Sequence, residues 1–328
     1  MSTILFDKIV FGPIHSRRLG ISLGMNLLPT DGKLCSFNCI YCECGLNENH
    51  RTRSKLPTRA EVKEALINKL SSMQTEGVAP DVITFAGNGE PTMHPEFADI
   101  IDDTIETRNR FFPKAKIAVL SNSTMLHKED VFLALNKIED NILKLDSISD
   151  SRIGQLNVPN SPAFTFDRLL EQLCRFNGNL IIQTMFLKGE VDGESVTNTT
   201  EHEISGWLEA LKQIKPRQVM IYTIDRETPV KNLKKVTKDE LEAIADRARQ
   251  EGFDVTPVSD ECGFPLILPK TGNIKTDVPN FPAKMPLQAP ALSVYNSSVT
   301  AILTFSTCLY FLISEPTLQE TVSHRRMR

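Results

Sequence analysis

The sequence lacks an excess of positive charge, because 37 Lys and Arg residues stand against 41 Asp and Glu residues and give a formal net charge of −4. Nucleic-acid-binding domains usually carry a clustered basic surface, so composition gives no support for that role, although a local basic patch is compatible with RNA binding. The first twenty residues also lack the basic and apolar stretches of a signal peptide. We therefore expect a soluble, cytoplasmic protein.

A disulfide framework is also absent. The seven cysteines are odd in number, and Cys35, Cys39, Cys42 and Cys44 lie within ten residues of one another. Such a run is a poor basis for disulfide pairing and is typical of metal ligands in a reducing compartment. Cys174 stands in an amphipathic stretch, and we interpret it as a thiol of the apolar core.

Short apolar runs alternate with amphipathic stretches over most of the chain. Thr58, Thr200 and Thr237 each stand three residues before a glutamate and predict helices that begin with a capping box. The alternation predicts a parallel sheet with right-handed crossovers, either an open doubly wound sheet or a partial (β/α) barrel. In both folds, chemistry takes place at the carboxyl ends of the strands. Six runs predict buried strands: residues 22–28, 81–86, 116–121, 141–145, 180–186 and 218–224.

The alternation ends near residue 260 and divides the chain. We interpret residues 1–263 as one α/β domain, residues 264–290 as a Pro-rich linker and residues 291–328 as a tail. Residues 291–314 carry no charge and are followed by three arginines, which favours either a membrane anchor or a poorly packed tail. Nine of these 24 residues are Ser, Thr or Asn, which is unusual for a membrane span.

The cysteine run has the spacing C-x3-C-x2-C from Cys35 through Cys39 to Cys42. Three thiolates at this spacing can hold one [4Fe–4S] cluster and leave one iron open to a small molecule. Cys44 permits a second interpretation, in which four cysteines form a closed zinc site. Both interpretations place a metal centre directly after the first predicted strand.

A second motif, Gly87-Asn-Gly89-Glu90-Pro-Thr, follows the second predicted strand. Its glycines allow the backbone to approach a ligand closely, and Glu90 adds a carboxylate at the same point. Taken alone, the motif is also compatible with an ordinary strand-to-helix turn.

Together the two motifs resemble the radical S-adenosylmethionine superfamily, and the resemblance covers about residues 10–260. It implies a partial (β/α)6 barrel with a C-terminal extension, with residues 1–263 as the radical S-adenosylmethionine core domain. It also implies a [4Fe–4S] cluster on Cys35, Cys39 and Cys42 that reductively cleaves S-adenosylmethionine. Further segments are similar to the branch containing the wyosine-base synthases of transfer RNA: residues 11–20, 22–24, 89–92, 121–122, 144–146 and 223–226, with Gly45.

The resemblance also implies contacts with S-adenosylmethionine, residue by residue. Asn122 and Asp146 would meet the ribose, with Gln183 as a further candidate, although such polar residues also serve as helix caps. The methionine end would lie at Gly87, Gly89 and Glu90, and the adenine at the backbone around Ile221 and Tyr222. Arg17, Arg18 and Arg226 are interpreted either as an anion site or as solvated surface cations.

The resemblance leaves the substrate open. Wyosine-type enzymes hold a second cluster on cysteines upstream of the motif, whereas this sequence has no cysteine before Cys35. Transfer-RNA modification is therefore one alternative, and activation of a glycyl-radical enzyme is another. The resemblance implies an electron donor such as flavodoxin or ferredoxin. The hypothesis from a different class is a non-catalytic zinc-binding module.

Overall fold

The computed structural model of the protein describes residues 4–16, 20–49 and 51–258. Arg17 and Arg18 lie outside the described residues, as do the predicted linker, residues 264–290, and tail, residues 291–328. In the part that is described, no helix is long and apolar enough to cross a membrane.

The predicted parallel sheet is present, and the α/β fold class is confirmed. Its six predicted strands pair in chain order and in parallel, and the described sheet does not close into a barrel. They are β2 (Gly20–Met25), β3 (Val82–Phe85), β4 (Lys116–Ser121), β5 (Asp140–Lys144), β6 (Ile181–Met185) and β9 (Gln218–Tyr222).

Two further strands extend this sheet at its edges. β1 (Val10–Ser16) runs antiparallel to β2, and β11 (Val255–Val258) runs parallel to β9. The sheet therefore has eight strands in the order β1-β2-β3-β4-β5-β6-β9-β11, two more than the sequence predicted. Both additional strands interrupt their apolar residues with proline, which hides the strand pattern in the sequence.

Seven α-helices connect the described strands, and two of the three predicted capping boxes are confirmed, at Thr58 and at Thr237. The third prediction is half wrong, because Thr200 caps its helix but Glu203 does not return to the cap. Instead, the Glu203 carboxylate accepts hydrogen bonds from Ser147 Oγ at 2.8 Å and Ile148 N at 3.3 Å. The helices are α1 (Arg59–Glu76), α2 (Phe97–Phe111), α3 (Glu129–Asn136), α4 (Asp150–Leu156), α5 (Phe166–Cys174), α6 (Glu201–Ile214) and α7 (Lys238–Gln250).

The main apolar core lies between the parallel strands and their helices. Helix α1 illustrates why, since its buried residues recur every three or four positions and all face the sheet: Val62, Leu66, Leu70 and Met73. Gly77 ends this helix in the left-handed conformation, with φ of 72°. Because this core lies between the strands and the helices, the carboxyl ends of the strands can carry polar loops.

A second, three-stranded sheet follows β6 and was not predicted. It consists of β7 (Leu187–Val191), β8 (Glu194–Ser195) and β10 (Leu233–Lys235), in the order β10-β7-β8. These strands are short and Leu187 is the one buried residue in them, so no alternation of apolar and polar residues marks them. Leu187 packs in one apolar cluster with Phe37 and Ile40, which places this small sheet beside the loop that carries the cysteines.

Candidate active site

Most of the predicted site residues lie at or just after the carboxyl ends of parallel strands. The cysteine loop, residues 33–49, comes after β2, and the turn at residues 87–90 comes after β3. Asn122 follows β4, Asp146 lies two residues after β5, and Tyr222 ends β9. Parallel strands bring these ends to one edge of the sheet, where catalytic residues of such folds lie.

The turn after β3 holds the start of the cysteine loop. Leu34 N donates to Asn88 O at 2.9 Å, and Glu90 N donates to Leu34 O at 3.1 Å. Gly89 lies between these bonds with φ of 137°, and a Cβ there would stand 1.9 Å from Leu34 O. Only glycine fits at this position. The close approach that the sequence predicted is therefore made here to the chain's own cysteine loop, next to Cys35.

The three cysteines of the predicted motif are unpaired, and two of them accept hydrogen bonds from asparagine side chains. Asn122 Nδ2 donates to Cys35 Sγ at 3.6 Å, and Asn157 Nδ2 donates to Cys39 Sγ at 3.5 Å. Amide donors aimed at sulfur stabilise thiolate charge, which is the form that binds metal. The donor set therefore fits a centre held by three thiolates.

Cys42 and Cys44 interact directly. Interaction between the Cys44 and Cys42 side chains through a hydrogen bond lowers the pKa of Cys42, although burial opposes this shift. The same hydrogen bond, together with burial, raises the pKa of Cys44 well above its ordinary value. Cys44 Sγ also lies 3.6 Å from the carbonyl oxygen of Gly87. Within the described residues, no three Cys, His, Asp or Glu side chains are arranged around a single metal ion.

A buried cation lies beside the cysteines. Lys33 is 4% exposed, and its Nζ donates to the carbonyl oxygen of Gly45 at 2.7 Å. Burial disfavours its charged form, but the neighbouring thiols, Cys42 and Cys35 first, outweigh burial and raise the pKa of this lysine. Sequence analysis missed Lys33, although its place two residues before the motif was a usable signal. Its positive charge offsets the negative charge that the thiolates gather.

Glu90 is buried, and both of its carboxylate oxygens have partners. Oε1 accepts hydrogen bonds from Thr92 N at 3.1 Å and Oγ1 at 2.5 Å, and from Ser121 Oγ at 2.9 Å. Oε2 accepts one hydrogen bond, from Asn122 N at 2.6 Å. Burial raises the pKa of Glu90, and the hydrogen bonds oppose that shift. Because an oxygen of a carboxylate can accept two hydrogen bonds, Oε2 has the capacity to accept one more.

The Asn122 side chain connects β4 to the cysteine loop. Its Oδ1 accepts hydrogen bonds from Thr124 N at 3.1 Å and Thr124 Oγ1 at 2.8 Å, as in a turn cap. Its Nδ2 donates to Ser36 Oγ at 2.9 Å and to Cys35 Sγ. Every polar atom of this side chain therefore has a partner within the chain, and one of those partners is a predicted cluster ligand.

Asp146 lies at the centre of a buried polar network. Its Oδ2 accepts hydrogen bonds from Asn157 Nδ2 at 2.7 Å and from the Tyr41 hydroxyl. Oδ1 accepts a hydrogen bond from Met185 N at 2.9 Å, and Lys144 Nζ lies 3.4 Å from Oδ2. The network fixes Asn157, which in turn reaches Cys39. Neither Asn157 nor Tyr41 was singled out from the sequence, because their pairing depends on contacts more than one hundred residues apart.

Tyr222 meets the same network from β9. Lys144 Nζ donates to both Tyr222 Oη and Tyr41 Oη at 3.2 Å. Burial raises the pKa of Tyr222 to about 12, with the Lys144 charge opposing the shift. The carbonyl oxygen of Tyr222 accepts a hydrogen bond from Phe186 N at 2.8 Å. Gln183, the further ribose candidate, is buried in β6, and its carbonyl oxygen accepts from Leu145 N at 3.0 Å.

Arg226 faces a carboxylate of the cysteine loop. Its Nη1 lies 3.5 Å from Glu43 Oε2, and both side chains are about three-quarters buried. Burial raises the pKa of Glu43 to about 7, although the Arg226 charge acts in the opposite direction. The predicted cation after β9 is therefore directed at the cysteine loop. Arg17 and Arg18, the other two candidates for an anion site, lie outside the described residues.

The α/β fold with its largely parallel sheet is shared with solved structures. No protein-family model matches this sequence. The chain is 32% identical over 241 residues to the UPF0026 protein of Helicobacter pylori, with 71% of each chain covered. It therefore belongs to the UPF0026 family.

Two of the solved structures that share the fold illustrate the likeness. One is a radical SAM methyltransferase from Sphaerobacter thermophilus, with a TM-score of 0.52, 13% identity and 72% of this chain covered. The other is SuiB from Streptococcus suis bound to S-adenosylmethionine, with a TM-score of 0.52, 15% identity and 71% of this chain covered. The present chain spans 65% of the first structure and 50% of the second. At these identities, the likeness is one of fold.

Proposed function

We propose that this chain is a radical S-adenosylmethionine enzyme. The observation that carries the proposal is the pairing of two loops: the three-cysteine loop after β2 is hydrogen bonded to the turn of Glu90 after β3. This juxtaposition stands at the carboxyl edge of a sheet whose fold matches radical SAM structures. Function belongs to sites rather than to folds, so the proposal depends on the loops and not on the fold alone.

In this proposal, Cys35, Cys39 and Cys42 hold a [4Fe–4S] cluster. When bound, such a cluster supplies one electron to S-adenosylmethionine, whose cleavage gives methionine and a 5′-deoxyadenosyl radical that abstracts hydrogen from a substrate. The amides of Asn122 and Asn157 orient two of the thiolates, and Lys33 balances their charge. Burial of this region keeps water away from reactive species.

The carboxylate of Glu90 is the proposed receptor for the methionine amino group. Oε2 is the oxygen with the free acceptor position, and an ammonium donor there would form a charge-assisted hydrogen bond. Gly87 and Gly89 have no side chains, so the backbone beside Oε2 would allow the methionine end to approach closely. Asn122 and Asp146 stay our candidates for the ribose and Tyr222 for the adenine, in each case through rearrangement of hydrogen bonds described above.

The ligand assignment is tested by metal content after anaerobic reconstitution with iron and sulfide. We expect about four irons and four sulfides per chain, the content of one cubane cluster. Replacing Cys35, Cys39 or Cys42 by Ala should abolish it, whereas Cys174→Ala, a thiol of the apolar core, should not. Zinc is measured on the same samples, because tight stoichiometric zinc without iron would contradict the proposal and favour the zinc-binding module.

The two alternatives for the substrate differ in the molecule from which the radical abstracts hydrogen. A wyosine-synthase-like enzyme would act on transfer RNA, and an activase would act on a glycine of a partner protein. Hydrogen abstraction consumes the radical, so the true substrate class should accelerate formation of 5′-deoxyadenosine. Adding total transfer RNA, or a glycyl-radical enzyme, to the reconstituted protein separates the two. An electron donor such as flavodoxin or ferredoxin belongs to the same proposal.

A further inference from the structure

The segment that follows the cysteine loop is held tightly to the chain that enters it. Arg51 forms an isolated parallel backbone bridge with Lys33, which stands two residues before Cys35. Lys33 in turn reaches across the loop to the carbonyl oxygen of Gly45. The bridge therefore places Arg51 beside Lys33, at the start of the cysteine loop.

Asp31 fixes the backbone of this segment. Its carboxylate accepts hydrogen bonds from Thr52 Oγ1 at 2.6 Å, from Arg53 N at 3.0 Å and from Ser54 N at 3.1 Å. The Thr52 hydroxyl is the main reason that the pKa of Asp31 is lowered to about 2, so the carboxylate stays charged at neutral pH. Three hydrogen bonds to a charged carboxylate hold the backbone of this segment in one conformation.

Along this segment, the residue that holds the backbone in place and the residues that carry positive charge are different ones. Thr52 turns toward Asp31, whereas Arg51, Arg53 and Lys55 are exposed to solvent. In the described part of the chain, none of these three cations forms an ion pair, although the charge of Arg51 reaches Glu48. We call these three residues the basic stripe. It stands on a chain whose net charge is −4, so its sign is opposite to that of the whole protein.

We propose that the basic stripe is the docking surface for an acidic one-electron carrier protein. The inference rests on the proposed function, which requires an electron from outside the chain. The carrier would be oxidised by one electron and the centre held by the cysteines reduced by one, with no bond formed or broken. Cations at the rim of such a contact steer an acidic partner and orient it on arrival.

The position and the size of the stripe both favour a protein carrier over RNA. Its backbone pairs with Lys33, so a carrier seated on it lies next to the cysteine loop. Affinity for nucleic acid grows with the number of phosphates that Lys and Arg neutralise, about 6–10 in strongly salt-dependent complexes, and the stripe offers three cations. An acidic protein surface needs only a few complementary charges for steering.

The test uses the full-length, reconstituted protein and two sources of electrons. One is flavodoxin reduced by its NADPH-dependent reductase, and the other is dithionite, a small molecule that needs no docking surface. The variant R51E/R53E/K55E should lose about tenfold or more of the flavodoxin-driven rate of 5′-deoxyadenosine formation at low salt, because like charges now repel the carrier. Its dithionite-driven rate and its iron content should equal those of the unchanged protein.

A matched control carries the same change of charge elsewhere. Arg110, Lys114 and Lys215 are exposed and lie near the amino ends of β4 and β9, opposite the cysteine loop. The variant R110E/K114E/K215E should keep the flavodoxin-driven rate. Added salt should slow the unchanged protein and, by screening the repulsion, raise the rate of R51E/R53E/K55E, so that the two rates converge.

Three results would overturn the inference. The first is an unchanged flavodoxin-driven rate in R51E/R53E/K55E, and the second is an equal loss with dithionite, which would mean that the segment only supports the site. The third is that R51E/R53E/K55E loses transfer-RNA binding, measured by fluorescence anisotropy, while its flavodoxin-driven rate is intact. Failure of the proposed function itself is distinguishable, because the unchanged protein would then form no 5′-deoxyadenosine even with dithionite.

Discussion

The side-chain amide of Asn157 donates a hydrogen bond to Cys39 Sγ at 3.5 Å, although the two residues are 118 positions apart in the chain. The same amide donates to Asp146 Oδ2 at 2.7 Å, and Asp146 is held by Met185 N from β6. One of the three predicted cluster ligands is thereby tied to the end of the sheet through a single asparagine.

This contact predicts an effect on reduction potential. Hydrogen bonds to a ligand sulfur stabilise the more negative, reduced form of an iron–sulfur centre, so their loss makes reduction harder. We expect Asn157→Ser to bind the same amount of iron and to shift the midpoint potential to a more negative value, measured by electron paramagnetic resonance during redox titration. Asn47→Ser is the control, because Asn47 Nδ2 bonds the carbonyl oxygens of Cys35 and Phe37 and no sulfur. Equal potentials in Asn157→Ser and the unchanged protein would refute this role.

Glu90 carries a prediction about cofactor affinity. Glu90→Gln removes the negative charge beside the proposed ammonium site but keeps the size of the side chain. Loss of a charge-assisted hydrogen bond costs about 1.5–3 kcal/mol, so the Kd for S-adenosylmethionine should rise about tenfold to one hundredfold with iron content unchanged. Equilibrium dialysis on the reconstituted protein measures this, with the exposed Glu96→Gln as control. A Kd that does not move would remove Glu90 from the proposed binding site.

Cys44 separates the two metal hypotheses. Its thiol donates a hydrogen bond to the carbonyl oxygen of Gly87, and Cys44 is not a member of the three-cysteine motif. We therefore expect Cys44→Ala to retain the full iron and sulfide content and the brown colour of a cluster, whereas Cys42→Ala loses both. The opposite pattern, in which Cys44→Ala releases the metal and Cys42→Ala keeps it, would show that the ligand assignment is wrong.

Glu43 predicts a dependence of stability on pH. Its pKa in the fold is about 7, raised by burial from the ordinary value of 4.5, so ionising it costs free energy only in the folded state. The sign is therefore a loss of stability as pH rises from about 4.5 to about 7, by up to about 3 kcal/mol. Urea denaturation of the metal-free protein at pH 5 and pH 8 should show this loss for the unchanged chain relative to Glu43→Gln.

The control for that measurement is Glu48→Gln, since Glu48 lies in the same loop but is exposed. Hydrogen bonds from its own backbone and from Asn38 lower the pKa of Glu48, so its removal should not reproduce the effect. A difference between the unchanged chain and Glu43→Gln that stays constant from pH 5 to pH 8 would contradict the assigned pKa.

The parts of the fold that the sequence predicted are those set by local patterns. The six parallel strands are runs of buried apolar residues, and the caps at Thr58 and Thr237 depend on residues three positions apart. β1 and the small sheet of β7, β8 and β10 are stabilised instead by pairing with distant segments. These strands are short, partly exposed or interrupted by proline, so no periodic pattern of apolar residues marks them in the sequence.

The same distinction applies to the candidate site. The spacing of Cys35, Cys39 and Cys42 is a local pattern and predicts their chemistry directly. Asn157 was missed because an amide has no distinctive spacing, and its role follows only from what the fold places beside it. Glu203 shows that a local pattern can also mislead, since it fits the capping-box pattern but accepts a hydrogen bond from Ser147 instead.

The most direct test of the central claim is formation of 5′-deoxyadenosine by the full-length, anaerobically reconstituted protein, reduced with dithionite and supplied with S-adenosylmethionine. Electron transfer to the bound sulfonium requires only the cluster and the cofactor, so slow formation without substrate is expected, detected by liquid chromatography and mass spectrometry. The product should be absent from Cys35→Ala, Cys39→Ala and Cys42→Ala. A protein that carries four irons and four sulfides and still yields no 5′-deoxyadenosine would contradict the proposed function.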